Sequence, residues 1–234
     1  MCVWSFPSPY CGSSPWRAFD AGLAAAAILA VAVWGPPLAV YLLSGEARIS
    51  PTVVGIVQGT IVAALVWLAA GALGGDRRKV LCLQPAKRGA RDHVPTISVA
   101  LTFMFVASFA ARWLLGSAPQ LAPDQDSADL IKQALLLLVV APVSEELLFR
   151  GFLLSVLHKT KLGFWGASCL LSAAWSTLHV DYPPHALVTL FLLGLTLSWV
   201  IWRTGSLWTG IILHSLFNAY YVLLSWALVA KSSI

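Results

Sequence analysis

The sequence predicts an all-α membrane protein, a polytopic transmembrane helix bundle of about seven helices. Of its 234 residues, 59% are hydrophobic and only 11% are charged, whereas an ordinary soluble domain has about 25% charged residues. The apolar residues are also gathered in long blocks, and a helix needs about 20 of them to cross roughly 30 Å of hydrocarbon. A soluble core of this size cannot hide so much apolar surface.

Seven apolar blocks follow one another along the chain, with boundaries good to about 2–4 residues. They cover residues 19–44, 51–73, 95–115, 130–157, 164–180, 185–202 and 206–230. A polar, basic loop at 75–94 separates the second block from the third. Four cysteines, Cys2, Cys11, Cys82 and Cys169, are scattered without metal-ligand or redox spacing, so they predict neither a disulfide framework nor a zinc knot.

Basic residues are distributed unequally between the two sides of such a bundle. If the helices alternate in direction, one side holds ten of them: Arg17, Arg77, Arg78, Lys79, Lys87, Arg88, Arg91, Lys159, Lys161 and Arg203. The other side holds four, Arg48, Arg112, Lys132 and Lys231. Loops rich in Lys and Arg stay in the cytoplasm, so we expect a multi-pass protein of the inner cell membrane with a cytoplasmic N-terminus and a cytoplasmic 75–94 loop. The net charge of +5 is accounted for by this asymmetry and by attraction to anionic lipid headgroups. We therefore expect no nucleic-acid partner.

Ionisable residues inside the apolar blocks mark the candidate site, because charge is costly in hydrocarbon. The fourth block contains Glu145, Glu146 and Arg150. Glu146 and Arg150 are four residues apart, so they share a helix face and can form an ion pair. Glu145 points about 100° away and has no partner on its own helix. A structural ion pair that locks two helices would therefore explain Glu146 and Arg150 but not Glu145.

Two further blocks carry polar groups at the same spacing. His214 and Asn218 lie four apart in the seventh block, and Trp175 lies four before His179, whose ring it can support. With about 1.5 Å of rise per residue, Glu145 lies about 18 Å, His179 about 22 Å and His214 about 12 Å from the basic face. All three depths fall within the hydrocarbon core, so one shared polar cavity is possible.

These motifs, in this order, resemble the CAAX protease and bacteriocin-processing (CPBP, or Abi) family of intramembrane proteases. The resemblance rests on Glu-Glu-x-x-x-Arg from Glu145, aromatic-x-x-x-His ending at His179, and His-x-x-x-Asn from His214. The segment 203–208 is similar too. The resemblance covers about residues 129–225, which divides the chain into N-terminal helices at 1–128 and catalytic helices at 129–230. Trp175 stands where the family pattern has Phe, a difference that we interpret as one of packing.

The resemblance implies hydrolysis of a peptide bond by an activated water. Glu145 is the implied general base and His179 orients the water, while His214 and Asn218 donate hydrogen bonds to the oxyanion. Glu146, Arg150 and Trp175 are then structural residues that support the site. The implied partner is a membrane-associated protein or peptide in the lipid bilayer, and the sequence does not identify the substrate.

Three other interpretations stay open from the sequence alone. One Glu and two His form a ligand set known for catalytic zinc, so Glu145, His179 and His214 are the ligands of an alternative zinc-dependent protease. We expect no cofactor, because the chain lacks the His-Glu-x-x-His helix of zinc proteases. Buried Glu and His also form proton relays in transporters, although no pair of related halves is visible. An inactive membrane scaffold is the third alternative.

Overall fold

The regular secondary structure is helical in the part of the chain that the structure, a computed structural model, describes: residues 10, 12–44, 50–86, 90–116 and 127–232. In these ranges it forms α1 (Ala18–Ser44), α2 (Pro51–Gly71), the short α3 (Arg77–Val80), α4 (Ala90–Leu115), α5 (residues 127–157), α6 (Gly163–Thr177), α7 (Pro184–Thr204) and α8 (Leu207–Ser232). Each predicted block corresponds to one long helix. Of the basic residues and cysteines named above, Cys2, Cys11, Arg48, Lys87 and Arg88 lie outside the described ranges.

Four of the described helices are long and apolar enough to cross a membrane, which confirms a polytopic helical bundle. They are Ala18–Pro36, Pro51–Gly74, His93–Leu115 and Pro184–Thr204, with a shorter apolar stretch at Leu207–Leu223. The sequence predicted about seven spans, and three of the blocks are not among these four. The described apolar part of α8 is only Leu207–Leu223, α6 has only 15 residues, or about 22 Å, and α5 contains five charged residues and is irregular.

The α7 helix is at the centre of the bundle. Half of its apolar window is buried in the protein, against 17–22% for the other three spans. It packs against α4, α6 and α8, while α1 pairs with α2 and α2 lies on α5. Two glycines permit that last contact, because a Cβ at Gly55 or Gly59 would come within 2.9 Å of Leu136 or 2.5 Å of Val140. Helices from both halves of the chain therefore surround α5.

The α5 helix changes its winding twice. Its α-helical segments, Ser127–Leu135, Ala141–Glu146 and Leu154–Leu157, are separated by π-helical ones, Leu136–Val140 and Leu147–Leu153. In the first π segment the Ala141 amide donates to the carbonyl of Leu136, five residues back. The next residue, Pro142, has no N–H, so the Leu137 carbonyl has no backbone donor in this pattern. Such π turns are frequent at functional sites.

The basic loop is folded into one end of the bundle. Val80, Leu81 and Cys82 are at most 1% exposed, and the Cys82 carbonyl accepts a hydrogen bond of 2.9 Å from the amide of Leu207 at the start of α8. The Cys82 thiol contacts the carbonyl of Gly205 at 3.3 Å. The 203–208 segment therefore serves as the docking point of this loop.

The N-terminal segment joins two of the basic residues predicted to share a side. The Ser13 amide donates to the Lys79 carbonyl at 3.3 Å, and the Lys159 ammonium donates to the Ser14 carbonyl at 2.7 Å. Nearby, the Trp16 indole donates to the Ala69 carbonyl at 3.0 Å. Lys79 and Lys159 thus lie at the same end of the bundle.

Candidate active site

Three helices bring the predicted polar residues together. Glu145, Glu146 and Arg150 lie in and just after the middle α-helical segment of α5, and His214 and Asn218 lie on α8. Trp175 is on α6, but His179 is not in a helix. The sequence predicted helix up to residue 180, whereas α6 ends at Thr177. His179 occupies the turn that follows, where its amide donates to the Ser176 carbonyl at 3.1 Å.

Glu146 and Arg150 form the ion pair expected from their spacing. Arg150 Nη1 donates to Glu146 Oε1 at 2.9 Å, and both side chains are fully buried. The guanidinium also lies 4.7 Å from the centroid of the Trp175 ring, within range for a cation–π contact. Gly194 of α7 makes room for it, because a Cβ there would stand 2.7 Å from Arg150 Nη2. A glycine on a central helix is thus required by the charged pair.

His214 joins this pair from α8, a contact that the sequence did not predict. Its Nδ1 is 3.1 Å from Glu146 Oε1 and its ring is 3% exposed. An ionised carboxylate only accepts hydrogen bonds, so the proton of this hydrogen bond is on Nδ1. The opposite nitrogen, Nε2, is 4.0 Å from Glu145 Oε2. The imidazole therefore stands between the two acids with its orientation fixed by the buried one.

Glu145 differs from its neighbour in exposure and in partner. Its side chain is 27% exposed, whereas that of Glu146 is 0%, in agreement with the two directions that helical geometry gives adjacent residues. Its Oε2 accepts a hydrogen bond of 2.8 Å from the Trp175 indole. The partner missing from its own helix is supplied by α6.

Asn218 contacts the irregular part of α5. Its Nδ2 donates to the Leu137 carbonyl at 2.8 Å, the carbonyl that Pro142 leaves without a backbone donor. An amide nitrogen carries two protons, so one N–H supports the π turn and the second remains for another acceptor.

His179 is held by the backbone of Trp175. Its Nδ1 lies 3.0 Å from the Trp175 carbonyl, and because a carbonyl only accepts, Nδ1 carries the proton. The ring meets Trp175 and Tyr182 edge-on, each with a centroid separation of 5.4 Å. Burial raises the pKa of the Tyr182 phenol above its ordinary value, and the negative charge of Glu145 raises it further. Tyr182 is a neighbour of the site that the sequence analysis did not name.

The part of the chain that carries the candidate site is similar to known proteins. Residues 127–220 match the family described as Rce1-like, type II CAAX prenyl endopeptidase Rce1-like. This part of the chain is similar to that family. The matched segment runs from α5 into α8 and contains every residue of the candidate site, which confirms the resemblance drawn from the three motifs. The division of the chain near residue 128 stays a prediction.

Two curated proteins are similar to this chain over part of its length. An uncharacterized 24.3 kDa protein of Escherichia coli is 30% identical over 132 residues, which cover 52% of this chain and 59% of the relative. The putative membrane peptidase YdiL of Bacillus subtilis is 25% identical over 130 residues, which cover 54% of this chain and 52% of the relative. The chain thus spans little more than half the length of these relatives. No solved structure matches it.

The zinc alternative needs three ligands that converge on one point. In the described ranges, no group of three or more His, Cys, Asp or Glu side chains is arranged to hold a metal ion. The Nδ1 atoms of His214 and His179 are bonded to a carboxylate and a carbonyl, and one oxygen of Glu145 accepts from an indole. These contacts leave both Nε2 atoms and the other Glu145 oxygen as the donors that a metal would use. The expectation of no cofactor stays a prediction, and we derive no step through a metal.

Proposed function

We propose that the protein is an intramembrane endopeptidase that hydrolyses a peptide bond in a membrane-associated protein or peptide. The observation that carries the proposal is the unequal environment of two adjacent acids. Glu146 is fully buried and bound to Arg150 and His214, whereas Glu145 is 27% exposed and faces His214 Nε2. An ion pair that only joins helices needs one acid. A second acid, accessible and held in place, supports general-base chemistry.

In the proposed reaction, Glu145 removes a proton from water as the water oxygen attacks the substrate carbonyl carbon. The carbonyl becomes a tetrahedral oxyanion, the C–N bond then breaks, and the leaving nitrogen takes the proton from the Glu145 carboxyl group. The neutral His179 ring, protonated on Nδ1, presents the lone pair of Nε2 and helps to orient the water. A side chain that both takes and returns the proton leaves the enzyme unchanged after each cycle.

The oxyanion is stabilised in this proposal by Asn218 and by His214, whose ring acts as an imidazolium that donates from Nε2 while Nδ1 donates to Glu146. The separation of 4.0 Å between His214 Nε2 and Glu145 Oε2 is too long for a hydrogen bond. The two groups are therefore close without being bonded to each other, which leaves Nε2 to donate to the oxyanion. Asn218 adds the N–H that the Leu137 carbonyl does not use. Each such donor typically contributes about 3–4 kcal/mol to the transition state.

Similarity to the Rce1-like family over residues 127–220 supports a substrate at the membrane surface. The family description names prenyl endopeptidases, and prenylated peptides associate with the bilayer through their lipid. Unmodified apolar peptides enter the same environment without a lipid. We propose that the site acts on one of these two classes, in the inner cell membrane and with the N-terminus in the cytoplasm. The basic residues that lie together near Lys79 and Lys159 support this orientation.

The test uses purified protein in lipid nanodiscs and internally quenched peptides. In one half of the peptide panel the fourth residue from the C-terminus is a farnesylated cysteine. The other half has the same sequences without the lipid. We expect the wild type to cleave members of one half. Glu145→Gln keeps the shape of the side chain but removes the proton acceptor, so turnover should fall about 10²- to 10⁴-fold.

Asp76→Asn is the control, because Asp76 is an exposed helix cap far along the chain from the site. Its turnover should equal that of the wild type. Absence of cleavage by the wild type on the whole panel, or full activity of Glu145→Gln, would refute the proposal. Full activity of Glu145→Gln together with loss in Glu146→Gln would exchange the roles of the two acids.

A further inference from the structure

Trp175 contacts more of the candidate site than any of the proposed reacting groups does. It is 1% exposed, its indole N–H donates to Glu145, and its carbonyl accepts from His179. The ring meets His179 and His214 edge-on at 5.4 Å each, and the Arg150 guanidinium lies over its face. One side chain therefore contacts groups on the α5 helix, the α8 helix and the turn after α6.

The indole restricts Glu145 to one arrangement. An indole has a single donor and no acceptor, and a buried donor without an acceptor costs about 1–3 kcal/mol. The acceptor here is Oε2, the same oxygen that lies 4.0 Å from His214 Nε2. Oε1 accepts no hydrogen bond from the described residues. The carboxylate is thus anchored by one oxygen, and the other has no hydrogen-bond donor among the described residues.

The backbone of the same residue restricts His179. Because Nδ1 donates to the Trp175 carbonyl, the neutral ring has its lone pair on Nε2. Two acceptors, Glu145 Oε1 and His179 Nε2, are therefore set by opposite ends of one tryptophan. A general base works only when it lies within hydrogen-bond reach of the proton it removes, so an anchor on both acceptors acts on the chemical step.

We propose that Trp175 is a positioning residue whose indole N–H holds the Glu145 carboxylate for proton abstraction, so that its difference from Phe bears on chemistry as well as on the packing inferred from the sequence. This inference rests on the proposed function. Other groups also face Glu145: His214 from α8, Tyr182 from the turn after α6, and Glu146 beside it on α5. None of these makes a direct hydrogen bond to its carboxylate in the described part of the chain. The hydrogen bond from the indole N–H is therefore the contact to Glu145 that can be removed while these three groups stay in place.

The first test removes the N–H and keeps an aromatic ring. Trp175→Phe should lower kcat about 10- to 100-fold with KM within about twofold, as expected for loss of a hydrogen bond to a charged group that acts on the chemical step. A tighter version places β-(3-benzothienyl)alanine at position 175, where sulfur replaces the N–H in a ring of the same shape. This variant keeps the packing against Arg150 and the histidines and lacks only the N–H. It should therefore lose activity to the same extent as Trp175→Phe.

Trp16→Phe is the matched control. The Trp16 indole also donates to an oxygen of a neighbouring helix, the Ala69 carbonyl at 3.0 Å, but it lies at the end of the bundle near Lys79. This variant should unfold at a lower temperature and keep the kcat of the wild type. Equal loss of kcat in the Trp16 and Trp175 variants would reduce the role of Trp175 to folding and overturn the inference.

A double-mutant cycle separates an action through Glu145 from a general effect. Trp175→Phe in the Glu145→Gln background should change the residual rate by less than about twofold, because the carboxylate that the indole holds is gone. A loss as large as in the wild-type background would show that Trp175 acts by another route and would refute the inference.

A spectroscopic arm works even if no peptide is cleaved. The infrared difference between wild type and Glu145→Gln isolates the carboxylate bands of Glu145. Replacing Trp175 by the benzothienyl residue should shift these bands, and Trp16→Phe should leave them in place. If the wild type is inactive and the bands shift, the proposed function fails while the anchoring of Glu145 stands. Unchanged bands would overturn the inference whatever the activity.

Discussion

Removing the Arg150 charge should destabilise the fold before it affects chemistry. Glu146 is fully buried, and its Oε1 accepts from Arg150 Nη1 at 2.9 Å. At an effective dielectric constant of about 20, two unit charges at that separation attract by about 6 kcal/mol. Part of this is offset by the desolvation of the guanidinium, and measured losses for breaking such a pair are about 3–5 kcal/mol. We expect Arg150→Met to lower the free energy of unfolding by about 3–5 kcal/mol.

The assay is unfolding of the purified protein in mixed micelles with increasing SDS, followed by circular dichroism. The double variant Arg150→Met with Glu146→Gln should regain most of the loss, because it no longer leaves a charge buried without a partner. The exposed pair of Lys79 and Asp76, at 3.7 Å, provides the control, and Lys79→Met should cost less than about 1 kcal/mol. A stable Arg150→Met, or a double variant as unstable as the single one, would refute the reasoning.

Three further predictions follow from the same contacts. Gly194→Ala should reduce the yield of folded protein, because a Cβ would lie 2.7 Å from Arg150 Nη2; an unchanged unfolding curve would contradict this. Asn218→Ala should lower kcat with little change in KM, since its second N–H is used in the transition state; a raised KM at constant kcat would assign it to substrate binding instead. Exhaustive chelation should leave peptide cleavage intact, and an activity that vanished and returned in proportion to added Zn²⁺ would restore the zinc alternative with Glu145, His179 and His214 as ligands.

Local contacts of the site followed from the sequence. The pairing of Glu146 with Arg150, and the support of His179 by Trp175, depend on the four-residue spacing of one helical turn. The same geometry explains why Glu145 and Glu146 differ in exposure. The long helices followed equally well, because an apolar block of sufficient length has few other structures open to it in a membrane.

Contacts between helices did not follow from the sequence. The hydrogen bonds that join Trp175 to Glu145, His214 to Glu146 and Asn218 to Leu137 span 30, 68 and 81 residues of chain. Spacing along the sequence says nothing about such pairs. The π segments of α5 add a second difficulty, since each one changes the rotation per residue. The faces of residues before Leu136 and after Leu153 therefore cannot be related by counting in steps of 3.6.

The end of α6 was the other point that periodicity could not settle. Leu178, His179 and Val180 are as compatible with an apolar helix as the residues before them, yet the helix stops at Thr177. Pro183 and Pro184 lie close behind and favour a break, but they do not fix its position. This break places His179 in a turn that its own Nδ1 helps to hold through the Trp175 carbonyl.

The buried thiol of Cys82 has a practical consequence. A cysteine with no exposed surface reacts with a reagent only while its surroundings are open, so its modification rate measures the free energy of that opening. In this protein the opening detaches the 75–86 segment from the start of α8, because the Cys82 carbonyl and the Leu207 amide are hydrogen-bonded. The modification rate of this native cysteine thus reports how firmly the N-terminal half is attached to the helix that holds His214.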